Sequence, residues 1–158
     1  LAIGMEPTDK TLLKNKPRNP KEGILTKEFS LRLVFYGLLI AIVTMSSYYI
    51  GLTTDAKTAS TMAFATLTLA RLFHGFTCRS DRSIVKIGLT SNKWSLAAFG
   101  AGVVLLAVVL LVPLMHGLFV IAPLSPAQLG MIAGLAFLPT LAIQLVKMVK
   151  EAVFHNTK

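Results

Sequence analysis

The sequence predicts an all-α membrane protein with four transmembrane helices and both termini on the cytoplasmic side. Three observations carry that expectation. Of 158 residues, 54% are hydrophobic and only 15% are charged, against about 25% charged in an ordinary soluble domain. A globule this small cannot hide so much apolar surface. The apolar residues fall in uncharged runs long enough to cross a bilayer, and the basic residues between those runs fall almost entirely on one side.

Taken in order, residues 1–32 form a polar segment marked by Pro7, Pro17 and Pro20. It lacks the apolar core of a secretory signal and is too short to build a core of its own, so it should dock elsewhere or lie at the membrane surface. Residues 33–158 hold the four-helix region. Between Arg32 and Asp55 lie 22 uncharged residues, enough for a first span at 33–52. Tyr48 and Tyr49 close it, where aromatic side chains favour the headgroup level. The second span is expected at 58–78.

Between Lys93 and Lys147 come 53 uncharged residues, about 80 Å of helix and too long for one crossing. Gly117, Pro123 and Pro126 punctuate this run, so it reverses between His116 and Pro126. The third span is therefore placed at 94–114 and the fourth at 126–147. Ser125-Pro126-Ala127-Gln128 reads as a helix start, with Ser125 as cap, Pro126 in the first turn and Gln128 closing a capping box. Gly130 and Gly134 form a GxxxG pattern that permits close helix contact, and Pro139 should kink the last helix.

The N-terminal segment, the connection holding Arg79, Arg82, Lys86 and Lys93, and the C-terminus together carry fourteen of the sixteen Lys and Arg residues. The opposite side carries Lys57 alone. By the positive-inside rule the basic side is cytoplasmic. This placement accounts for a net charge of +9 without nucleic acid, and makes anionic membrane lipid the natural partner for some of the charges. The single Cys78 excludes an internal disulfide framework and reads as a small helix residue. The chain begins with Leu, which fits a piece of something longer.

Arg71 is the candidate functional residue, because a cation inside a span costs roughly 2.5–3.5 kcal/mol and must face protein or water. It either borders an ion pathway or extends its side chain toward the helix end where Arg79 and Arg82 lie. Residues three and four apart share a helix face, so Thr68, Arg71, His74, Gly75 and Cys78 line one stripe, with Thr61 and Phe64 further along. Such a stripe should face a bundle interior, and Thr68 and His74 are candidates to face a pathway. The alternative is that the threonines bond back to their own helix. Guanidinium only donates hydrogen bonds, so Arg71 is a tethered cation and not a metal ligand. The spans contain no Asp or Glu, and a carboxylate partner for Arg71 must come from outside these residues. His116 reads as a solvated loop histidine. No phosphate-cradling glycine loop, nucleophile set or paired metal ligands occur, so no catalytic residue is expected in the chain.

The run Ala2-Ile3-Gly4-Met5-Glu6-Pro7, followed by Lys16-Pro17-Arg18-Asn19-Pro20-Lys21-Glu22, resembles the cytoplasmic loop between the sixth and seventh membrane helices of type II P-type ATPases. Leu138-Pro139 resembles that family's Leu-Pro in its last helix, and Thr61-Met62-Ala63-Phe64 is similar to a Thr-Met-Ala-Leu stretch in the eighth helix of its calcium pumps. The resemblance covers essentially the whole chain, and implies helices seven to ten of a ten-helix membrane domain, most like that of bacterial calcium-transporting ATPases.

The resemblance implies a pump using ATP and magnesium to move calcium across a bacterial plasma membrane in exchange for protons. The phosphorylation and nucleotide sites would lie in the remaining cytoplasmic domains, and the principal calcium ligands in the remaining helices. It also implies that Glu6, Asp9, Arg18 and Lys21 belong to a loop coupling the phosphorylation domain to the membrane. Asp9 falls at an acidic position of that loop, while Thr11 and Lys14 replace two others. In the ungapped register Arg71 occupies the place of a calcium-ligating glutamate. That departure implies a built-in positive charge where a second calcium would sit, and one calcium moved per cycle. A pump for another cation and a stand-alone four-helix membrane scaffold or subunit are the alternatives.

Overall fold

The computed structural model describes residues 26–77 and 93–155. Those residues form five helices: α1 (Lys27–Leu52), α2 (Ala56–Thr77), α3 (Lys93–Leu111), α4 (Pro113–Phe119) and α5 (Pro126–His155). No strand occurs among the described residues. The expected Glu6, Asp9, Arg18 and Lys21 loop, and Cys78, lie outside them.

α1 starts at a Thr26 cap, whose side chain accepts the Phe29 N–H. Its 26 residues span about 39 Å, more than the roughly 30 Å hydrocarbon core. The helix therefore begins before residue 33 and carries Lys27 and Arg32 on its first turns. A tight turn follows, in which the Thr54 N–H donates to the Gly51 carbonyl. Asp55 then anchors α2, its carboxylate accepting the Thr58 N–H at 2.8 Å and the Thr58 hydroxyl at 2.7 Å. At Gly51 a Cβ would come within 2.5 Å of the Ala59 Cα, so only glycine lets the two helices meet there. One level deeper, the Thr66 hydroxyl donates to the Ser47 hydroxyl at 2.7 Å, both residues fully buried.

α2 is the central helix and packs against α1, α5 and α3. The Phe73 ring lies 5.5 Å from Phe99 of α3 and 5.4 Å from Phe137 of α5. Leu72 fills the space a side chain at Gly102 would take. Among the described residues, three helices are long and apolar enough to cross a membrane, over Phe29–Leu52, Lys93–Leu111 and Pro126–Val149. The helix expected at 58–78 forms as α2 but is not among them. Its threonines, Ser60, His74 and Arg71 lower its hydropathy.

α3 stops at Leu111, short of the expected Leu114, because Pro113 cannot donate and the preceding Val112 is extended. His116 is not the solvated loop residue expected. It is half-buried, and its Nε2 donates to the Leu110 carbonyl at 2.9 Å, satisfying an acceptor at the end of α3. α5 begins with the expected capping box: Ser125 N–H to Gln128 Oε1 at 2.8 Å, and Gln128 N–H to Ser125 Oγ at 3.3 Å. The helix continues through a fully buried Pro139. The GxxxG expectation is corrected, since Gly130 and Gly134 are exposed with no atom near either Cβ position. The close contacts fall instead at Gly51 and Gly102.

Candidate functional site

The sequence of α2 sorts by helical period into two faces. Thr58, Ala59, Thr61, Met62, Ala65, Thr66 and Ala70 are buried, because small and hydroxylated side chains let α1 and α5 approach closely. Ser60, Phe64, Leu67, Arg71 and Gly75 recur on the opposite side and are exposed. Phe64, Leu67, Thr68, Arg71 and Leu72 line an open groove of about 390 Å³.

The expected polar stripe is thus divided. Thr68 and Arg71 share the groove. His74 turns toward α1, where it meets the Tyr36 ring edge-on at 5.5 Å. Thr61 is buried on another side, its hydroxyl donating to the Lys57 carbonyl at 2.8 Å and accepting the Ala122 N–H at 3.0 Å. Within this chain, Arg71 does not face the bundle interior. The physical reason is register: α1 and α5 occupy the alanine- and threonine-rich side, and the guanidinium falls on the side they leave open.

Two residues near His74 were not singled out by sequence reading. Tyr36 is one. The other is Lys147, 9% exposed, whose charge reaches the His74 ring. Its signal was the helical spacing of Ala136, Thr140, Ile143 and Lys147, the buried face of α5. In the sequence Lys147 reads as one of the charges of the C-terminus, which masks that spacing.

Among the described residues no group of three or more His, Cys, Asp or Glu side chains could hold a metal ion. Asp55 is the acidic residue at the α1–α2 turn. Hydrogen bonds from the Thr58 N–H and hydroxyl hold its carboxyl below the usual carboxylate range. It works as a helix anchor, far along α2 from Arg71. Among the described residues, then, the open face of α2 exposes a cation at Arg71.

The family described as Cation transporting ATPase, C-terminus matches residues 1–149. A calcium-transporting ATPase of Bacillus subtilis is 31% identical over 143 residues, covering 89% of this chain and 16% of that protein. Calcium-transporting ATPase 1 of Lactococcus lactis is 32% identical over 152 residues, covering 95% of this chain and 17% of that protein. Human calcium-transporting ATPase type 2C member 1 is 27% identical over 154 residues, covering 96% and 17%. The chain thus spans about a sixth of the length of the curated relatives it matches. Matched over nearly all of its length, and built from helices apolar enough to make a multi-pass membrane protein, the chain belongs to the family of C-terminal regions of cation-transporting P-type ATPases.

Proposed function

We propose that this chain is the C-terminal membrane part of an ATP-driven calcium pump, and that Arg71 stands where a second calcium would bind. The remaining helices and cytoplasmic domains of the pump are its partners. They supply the calcium ligands and the sites for ATP and magnesium. Both ends of the chain lie in the cytoplasm, and the pump works in a bacterial plasma membrane with lipid around α1 and α3. Residues 1–32 meet the phosphorylation domain, with Glu6, Asp9, Arg18 and Lys21 in the coupling loop.

One observation carries the reading of Arg71. Its side chain is exposed on the uncovered face of α2, in a groove shared with Thr68, while the spans contain no Asp or Glu. A guanidinium at that depth costs roughly 2.5–3.5 kcal/mol if it meets lipid. Covering the groove with a carboxylate-bearing helix removes that cost, and charge-assisted hydrogen bonds fix the geometry. The same contact places a permanent positive charge beside the ion path, which repels a second divalent cation. Thr68 borders that path. His74, turned to Tyr36, sits one turn away on its margin.

The test is Arg71→Glu in the intact pump, with calcium moved per ATP hydrolysed measured across a range of pH. The substitution should raise the stoichiometry and change its pH dependence. Both quantities unchanged would overturn the assignment of Arg71.

A further inference from the structure

The connection between α3 and α5 contains a backbone conformation that its own residue does not favour. Val120 has φ 54, a left-handed conformation that is unfavourable for a β-branched residue. Its side chain is 70% exposed, so little packing compensates. Strain of this kind persists where the surroundings over-determine it, and here the following two residues do so. Ile121 and Ala122 are 4% and 5% exposed. The Ile121 N–H donates to the His116 carbonyl at 3.1 Å, and its side chain enters the cluster of Met62, Ala65, Leu106, Leu110 and Ile132. Ala122 carries its N–H into a buried site, where the Thr61 hydroxyl accepts it at 3.0 Å. A buried N–H needs such an acceptor.

Thr61 is itself 3% exposed and its hydroxyl donates to the Lys57 carbonyl at 2.8 Å. Its hydroxyl therefore has one fixed orientation, accepting from the elbow and donating to α2. Met115 N–H to the Val112 carbonyl and His116 Nε2 to the Leu110 carbonyl tie the same elbow to the end of α3. The result is a direct bond between the α3–α5 connection and one turn of α2.

We infer that Thr61 is a positioning residue, which sets the depth and rotation of α2 and through them the place at which Arg71 is presented. No Gly or Pro interrupts the helix between them. Ten residues put Arg71 about 15 Å further along α2 and about 80° around it from Thr61. A slide or rotation permitted at Thr61 is transmitted to the guanidinium through a continuous helix. This inference rests on the reading that Arg71 stands beside the calcium path, and deepens it by naming what holds Arg71 there.

The test uses the intact pump carrying Thr61→Val, Thr61→Ser or Arg71→Ala, and Thr61→Val combined with Arg71→Ala. The readout is the calcium concentration at half-maximal phosphoenzyme formation. Thr61→Val keeps the shape but leaves the Ala122 N–H without its acceptor, and should shift that concentration roughly two- to thirty-fold. Thr61→Ser keeps the hydroxyl and should restore it. In the Arg71→Ala background the Thr61→Val shift should largely vanish, because the residue being positioned is gone. An equal shift in both backgrounds, or none in either, overturns the inference. If Arg71→Ala alone leaves the calcium dependence unchanged, the reading of Arg71 itself falls. If Arg71→Ala shifts it and Thr61→Val acts independently, only the positioning role falls. Should the Thr61→Val pump not accumulate, Thr61→Ala removes the same acceptor from the Ala122 N–H with a smaller side chain and carries the same comparison.

Discussion

In the half of α2 nearest the α1–α2 turn, hydroxyl groups are bound within the chain. Thr58 bonds Asp55, Ser60 bonds the Ala56 carbonyl, Thr61 links Lys57 to Ala122, and Thr66 bonds Ser47. In the half that follows, Thr68 and Arg71 open onto a groove, while aromatic rings take over the contacts between helices. Phe73 reaches α3 and α5, and His74 meets Tyr36. The first half is an anchor that is complete in itself. The second half holds one face of the same helix against neighbours and leaves the other open. A single helix thus fastens the bundle and presents a charge.

That contrast can be broken first at the anchor. Gly51→Leu drives a side chain into the Ala59 backbone, where even a Cβ would lie 2.5 Å from the Ala59 Cα. It should cost at least the upper end of the about 1–3 kcal/mol usual for overpacking, read as a lower thermal unfolding midpoint in detergent. Gly134→Ala meets nothing within 4 Å and should change stability by less than about 1 kcal/mol. Phe73→Ala attacks the second half by removing two ring contacts. Lipid competes for apolar surface, so the expected loss is about 1–3 kcal/mol, from packing and aromatic geometry.

Thr66→Val tests the buried hydroxyl pair and should cost about 0.6 kcal/mol, the average for hydrogen bonds between membrane helices, and at most about 1.7 kcal/mol. The smallest effect belongs to Asp55 and depends on pH. Its folded carboxyl titrates below its ordinary value, so its stabilisation is present above about pH 4 and is lost as pH falls through the lower folded value. An Asp55→Ala protein should therefore be less stable than the parent at neutral pH, with the gap closing in acid. A gap that stays constant down to acid pH would contradict the capping role of the ionised carboxylate.

Much of the helical layout was legible because it depends on local chemistry. Ser125 and Gln128 form their capping box as the spacing predicts. Pro123 and Pro126 fall in the reversal, although Pro113 also ends α3 earlier than the apolar run suggests. What could not be read was which side of α2 its neighbours choose. Thr61, Thr68, Arg71 and His74 share a stripe by spacing, yet the stripe is broad enough for α1 to take His74 and the elbow to take Thr61, leaving Arg71 outside. Gly130 and Gly134 match a contact motif, while the contacts form at Gly51 and Gly102, whose partners are set by tertiary register. Val120 gave no warning at all, since a β-branched residue argues against the conformation it adopts.

The measurement that tests the central claim most directly is equilibrium calcium binding to the intact pump, counted per phosphorylation site. The guanidinium of Arg71 at the place of a second ion predicts a single calcium per site in the native protein. Two calcium ions bound per site, with Arg71 in place, would contradict it.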